Sequence, residues 1–97
     1  MNRVLIIGAG GIGERHIRGF LKTKRATLAI CEPDDSKRRL VREKYSLAET
    51  FGDVSRAPLD TFDAAVISAP AHVHLPIARI LVEASLPFLV EKPLSVT

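Results

Sequence analysis

Apolar residues fall into short blocks along the chain, and their period switches repeatedly between that of a strand and that of a helix. Residues 3–7 (RVLII) form a near-continuous apolar run rich in β-branched side chains, as expected of a strand covered on both faces. Residues 8–13 are dominated by glycine, and Ile12, Ile17, Phe20 and Leu21 then recur near helical spacing with Arg15 and Arg18 facing water. A helix is therefore expected to begin inside the glycine segment. Residues 27–31 (TLAIC) predict a second strand, closed by Glu32 and Pro33. Asp34, Asp35 and Ser36 offer acceptors to cap a second helix through about Lys44, with Leu40 and Val41 turned inward.

The second half repeats the alternation. A short strand is expected at residues 48–51, and residues 52–63 read as a loop with at most a turn or two of helix. Residues 64–68 (AAVIS) predict a buried strand followed by Pro70 in a loop. Pro76 suits the first turn of a third helix, whose apolar stripe spans residues 75–84. Residues 88–90 then form a strand that delivers Glu91, Lys92 and Pro93. This order predicts an α/β fold, a Rossmann-type doubly wound parallel sheet with strand order 3-2-1-4-5 and three main helices. The connections of the first and fourth strands leave in opposite directions, so a crevice should open at their carboxyl ends.

Gly8, Gly10 and Gly13 fit the G-x-G-x-x-G spacing, which is weak evidence alone and stronger where a buried strand precedes it and a helix follows. Gly8 permits the tight turn, Gly10 leaves room for a pyrophosphate, and Gly13 lets helix and strand pack closely. Main-chain N–H groups around Gly11 and Ile12 would face the anion with the helix dipole behind them. Glu32 follows Gly13 by nineteen positions at the end of the second strand. There it can accept from the adenosine ribose hydroxyls and oppose a 2′-phosphate, so NAD is favoured over NADP. Lys37 and Arg38 are close enough in sequence to turn towards that phosphate.

Composition narrows the class. Ninety-seven residues allow one domain, read as residues 1–97. No apolar run approaches the roughly 20 residues of a bilayer span, and the chain is expected to be cytoplasmic, without a membrane partner. Cys31 is the single cysteine, so no internal disulfide can form, and its place at the end of an apolar run argues against a nucleophile. The net charge of +3 raises a nucleic-acid partner, but the Lys37, Arg38, Arg39, Arg42 and Lys44 cluster reads as a solvated helix face. Five aromatic residues offer little for base stacking, so no nucleic acid is expected. His72 and His74 form an H-x-H pair without a cysteine or acidic cluster nearby, and no metal is assigned. His16, one helical turn after Ile12, reads as a packing or hydrogen-bonding residue.

Several motifs together resemble a known family. The glycine loop followed by His16, the Glu32-Pro33-Asp34 turn, Ala69-Pro70 with His74 four residues later, and Glu91-Lys92-Pro93 resemble the cofactor domain of the glucose-fructose oxidoreductase and inositol dehydrogenase family, the Gfo/Idh/MocA type. The resemblance spans nearly the whole chain. It implies hydride transfer between NAD(P) and a carbon bearing a hydroxyl or carbonyl, often on a sugar or cyclic polyol. By the same resemblance Lys92 would be the catalytic lysine beside substrate and nicotinamide, where a cation can polarise a carbonyl and desolvation favours its proton-accepting form. Glu91 would lie near the nicotinamide ribose or amide, Ala69, Pro70 and His74 would border the cofactor, and Pro93 would fix the turn, often through a cis peptide in this family.

Members of that family are usually several times longer and carry a second domain that supplies further catalytic residues and meets the small-molecule substrate. That substrate domain is absent from these residues, which are not expected to turn over alone because positioning and preorganised electrostatics would be lacking. The alternative function is a stand-alone dinucleotide-binding or sensing module without catalysis. In either case the surface left for a second domain allows self-association into a homo-oligomer through the sheet edge or the open crevice.

Overall fold

A computed structural model of the chain describes residues 2–23, 26–69 and 73–90, apart from the Ile12 side chain. Five parallel strands, β1 (Asn2–Ile7), β2 (Ala26–Cys31), β3 (Glu49–Phe51), β4 (Ala64–Ile67) and β5 (Phe88–Val90), form one sheet in the order β3-β2-β1-β4-β5. The three helices are α1 (Gly11–Thr23), α2 (Asp35–Tyr45) and α3 (His74–Glu83). Two 3-10 turns, Val54–Arg56 and Leu59–Thr61, occupy the predicted loop. The strand order and the helix count agree with the expectation from the sequence.

The pleat divides the core into two layers. Leu5, Ile7, Ala29, Cys31, Ala65 and Ile67 face the layer built by Leu81 of α3 and the Val54 and Phe62 segment. Val4, Ile6, Leu28, Ile30 and Val66 face Ile17 of α1 and Val41 of α2. Alternate residues of one strand thus serve opposite layers, which is why the strands read as unbroken apolar runs. Leu5, Ile6, Ile17, Ile30, Ile67 and Leu81 are wholly buried, each contributing about 1.5–3 kcal/mol relative to exposure.

Two expected core contacts are not made. Leu40 is 66% exposed, because the inward stripe of α2 runs through Arg38, Val41 and Tyr45, about 100° of helical rotation away. Leu75 is 82% exposed, since α3 turns Ile77, Ala78 and Leu81 to the sheet instead. The layer over β4 and β5 on the α1 side is thin. An open trough of about 460 Å³ lies there, lined by Val4, Phe20, Val66, Pro87 and Leu89 among others.

Arg3 closes the end of the sheet opposite the glycine loop. Its guanidinium pairs with Glu49 at 2.8 Å, donates to the Thr61 carbonyl at 3.0 Å and lies over the Phe62 ring. The carboxyl end, where the loops after β1, β2 and β4 meet, is the end left for function.

Candidate nucleotide-binding site

The ladder of β1 runs directly into the glycine loop. Gly8 N–H donates to the Cys31 carbonyl at 2.8 Å, and Ser68 N–H donates to the Ile7 carbonyl at 2.8 Å, so the strand ends on both sides of β1 are tied at its exit. The chain then turns at Gly8, whose φ of +101° is a backbone state that L side chains rarely adopt. A Cβ there would also meet Ala69 N at 2.8 Å and Ser68 C at 2.9 Å. The loops after β1 and β4 therefore touch main chain to main chain.

The three glycines have different reasons. A Cβ on Gly13 would fall 2.0 Å from the Gly8 carbonyl oxygen, so α1 can begin this close to β1 only without a side chain. A Cβ on Gly10 would have nothing within 4 Å, and its backbone has negative φ. Gly10 is thus not required by the protein's own packing. The first helical bond of α1 runs from Glu14 N–H to the Gly10 carbonyl at 2.9 Å. The N–H groups of Gly11, Ile12 and Gly13 come before it, at the positive end of the helix dipole.

Glu32 stands at the end of β2 and is only 8% exposed. Its carboxylate bridges two backbones: Oε1 accepts from Ala9 N–H at 2.9 Å and Oε2 from Asp34 N–H at 3.0 Å. Charge-assisted bonds of this kind are among the stronger ones in proteins. The side chain expected to grip the ribose therefore also holds the glycine loop and the entry to α2. Each carboxylate oxygen keeps a second acceptor site. Asp34 caps α2 by accepting from Lys37 N–H at 3.0 Å, as the sequence predicts for this segment.

Arg38 does not extend into solvent. Nη1 donates to the Glu32 carbonyl at 2.8 Å, Nη2 pairs with the Asp35 carboxylate, and the guanidinium packs beside Gly52 at the end of β3. Across the crevice, Ser68 Oγ lies 3.2 Å from the carbonyl oxygens of both Ile7 and Gly8. His74, the first residue of α3, places Nε2 2.6 Å from the Ala69 carbonyl. The Ala69 carbonyl can only accept, so the contact is a hydrogen bond in the form that carries a proton on Nε2. His74 thus fixes the loop after β4 at the residue that packs on Gly8. Sequence reasoning missed Ser68; the signal was a small polar residue ending a buried strand.

Cys31, at the carboxyl end of β2, is buried, and its thiol is pushed up to about 12 by burial first and by Asp53 and Glu32 next. It is chemically quiet there, as its place in the sequence suggests. His16 is half-buried on α1. Among the described residues, no group of three or more His, Cys, Asp or Glu could hold a metal, and no helix is long and apolar enough to cross a membrane. The structure brings together Gly8, Gly10, Gly11, Gly13, Glu32, Ala69 and His74 at the carboxyl edge. Pro70, His72, Glu91, Lys92 and Pro93, with the Ile12 side chain, lie outside the described residues.

Comparison with known proteins gives a consistent result. The profile of an oxidoreductase family with an NAD-binding Rossmann fold, GFO_IDH_MocA, matches residues 2–97. An inositol 2-dehydrogenase of Corynebacterium glutamicum strain R is 38% identical over 96 residues, covering 96% of this chain and 28% of the relative. A Gfo/Idh/MocA family oxidoreductase from Vibrio cholerae superposes with a TM-score of 0.88 at 22% identity, over 98% of this chain and 31% of that one. GenD2 of gentamicin A biosynthesis, solved in complex with NAD, gives 0.86 at 26% identity, over 99% and 28%. The chain thus spans less than a third of the length of each. Its glycine loop, its buried strand-end carboxylate and a profile match over residues 2–97 place the chain in the Gfo/Idh/MocA oxidoreductase family, within the part that forms the NAD-binding Rossmann fold.

Proposed function

We propose that residues 1–97 form the dinucleotide-binding domain of an oxidoreductase that moves a hydride between NAD and a hydroxyl- or carbonyl-bearing carbon of an inositol-like or sugar-like substrate. The observation that carries this reading is the contrast among the glycines. Gly8 and Gly13 are demanded by packing, whereas the space at Gly10 is left open beside the N–H groups that begin α1. A diphosphate fits that space, and Glu32, with two acceptor sites unused by the main chain, fits the adjoining ribose diol. Its negative charge favours NAD over NADP.

When bound, the nicotinamide supplies a two-electron hydride carrier. The chain's own residues bind and orient it. Ala69, Pro70 and His74 would border the cofactor, with His74 holding the Ala69 carbonyl in place. By the family resemblance, Glu91 would lie near the nicotinamide ribose or amide, and a neutral Lys92 would accept the substrate hydroxyl's proton as hydride leaves its carbon, returning it in the reverse direction. The inositol 2-dehydrogenase relative supports a cyclic polyol as substrate. A cytoplasmic location accords with a single buried thiol. The uncovered trough beside Leu89, which is 56% exposed, offers a surface for self-association.

Calorimetric titration with NAD and NADP tests the reading. NAD is expected to bind more tightly than NADP, and equal affinities or no binding would refute the proposed preference or the proposed site respectively.

A further inference from the structure

Arg38 raises a question that the NAD reading leaves open. A guanidinium next to the residue that faces the ribose would ordinarily welcome a 2′-phosphate, because Arg pairs with phosphate oxygens through two parallel N–H donors. Here Nη1 is on the Glu32 carbonyl, so the cation lies within one residue's reach of the Glu32 carboxylate. A phosphate on the ribose hydroxyl that Glu32 faces would arrive beside it. One N–H of Nη1 and one of Nη2 are already engaged, however, and the partner of Nη2, Asp35, is an anion that competes for the cation.

We propose that Asp35 is a determinant of cofactor choice, acting by sequestering Arg38 from a 2′-phosphate. The inference rests on the dinucleotide reading above. Three features make the pair effective despite the exposure of Asp35, whose side chain is 75% accessible. Arg38 is only 23% accessible and packs beside Gly52, so its guanidinium is fixed rather than swinging between partners. The Glu32 carbonyl holds a second edge of it. Asp35 itself sits in the first turn of α2, where the helix N-terminus favours a carboxylate. An incoming phosphate must therefore compete with one anion for the guanidinium and approach another, Glu32. Among the described residues the Asp35 carboxylate pairs with Arg38, and Asp34, not Asp35, caps the helix.

The test is a double-substitution cycle on cofactor affinity, read by calorimetry with NAD and NADP, each variant first checked by thermal melting. Asp35→Asn should raise NADP affinity about fivefold to tenfold while leaving NAD within about twofold. Arg38→Gln alone should change NADP affinity little, and Asp35→Asn with Arg38→Gln should lose the gain. Unchanged NADP affinity in Asp35→Asn overturns the inference. So does a gain that survives removal of Arg38, which would mean general relief of negative charge. Absence of NAD binding by the wild-type protein would overturn the dinucleotide reading itself and this inference with it, whereas NAD binding with an unresponsive NADP affinity removes the role of Asp35 alone.

Discussion

The carbonyl oxygen of Gly8 occupies the space that a Cβ on Gly13 would need, the two points being 2.0 Å apart. No small adjustment absorbs such an overlap, because the obstructing atom belongs to backbone that is itself held by the Gly8 bond to Cys31. Gly13→Ala should therefore destabilise the fold by about 3 kcal/mol or more, as expected where a substitution overpacks a rigid site. Urea denaturation measures this, and a midpoint equal to that of the wild type would contradict it.

Glu32 carries a structural load in addition to its proposed ribose contact. In Glu32→Gln one of the two main-chain donors, Ala9 N–H or Asp34 N–H, must face an amide nitrogen or rotate away. A cost of about 1–3 kcal/mol is expected, with faster amide exchange at Ala9 or at Asp34. Glu32→Ala should also narrow the gap between NAD and NADP. Amide exchange unaltered at both Ala9 and Asp34 in Glu32→Gln would contradict the bridging role.

A pH effect is expected from the α1–α2 contact. Glu14 Oε1 accepts from Lys44 Nζ at 2.9 Å and from Tyr45 Oη at 3.0 Å, and these bonds, Lys44 first, hold its carboxyl below the usual 4.5. A depressed carboxyl contributes stability that is present above 4.5 and is lost as pH falls through the folded value. Lys44, raised above its usual 10.5 chiefly by Glu14, contributes stability that is present below 10.5 and is lost as pH rises through its folded value. Melting temperatures from pH 7 to pH 3 should fall less steeply in Glu14→Gln than in the wild type. Parallel curves would contradict the coupling.

Much of this architecture was legible because each strand is buried on both faces, which writes a strand as an apolar run, and because Gly8 and Gly13 answer to local geometry. What could not be read is how wide each helix's contact is. Leu40 and Leu75 are apolar and lie near the buried stripes, yet α2 buries only Val41 and α3 only Leu81, so neighbours a fraction of a turn away remain in water. The bridging by Glu32 was hidden for another reason. Its partners, Ala9 and Asp34, contribute main-chain N–H groups, which every residue but proline has and which leave no mark on residue type. The same holds for the Ala69 carbonyl that His74 holds.

The central claim is that the space at Gly10 is kept for the cofactor and not for the protein. Nothing lies within 4 Å of a Cβ at Gly10, and its φ is not positive, so Gly10→Leu should melt within a few degrees of the wild type. NAD titrated calorimetrically into that folded variant should bind at least about a hundredfold more weakly, since a side chain there blocks approach of the diphosphate to main-chain N–H groups. A folded Gly10→Leu protein with wild-type NAD affinity would contradict the account.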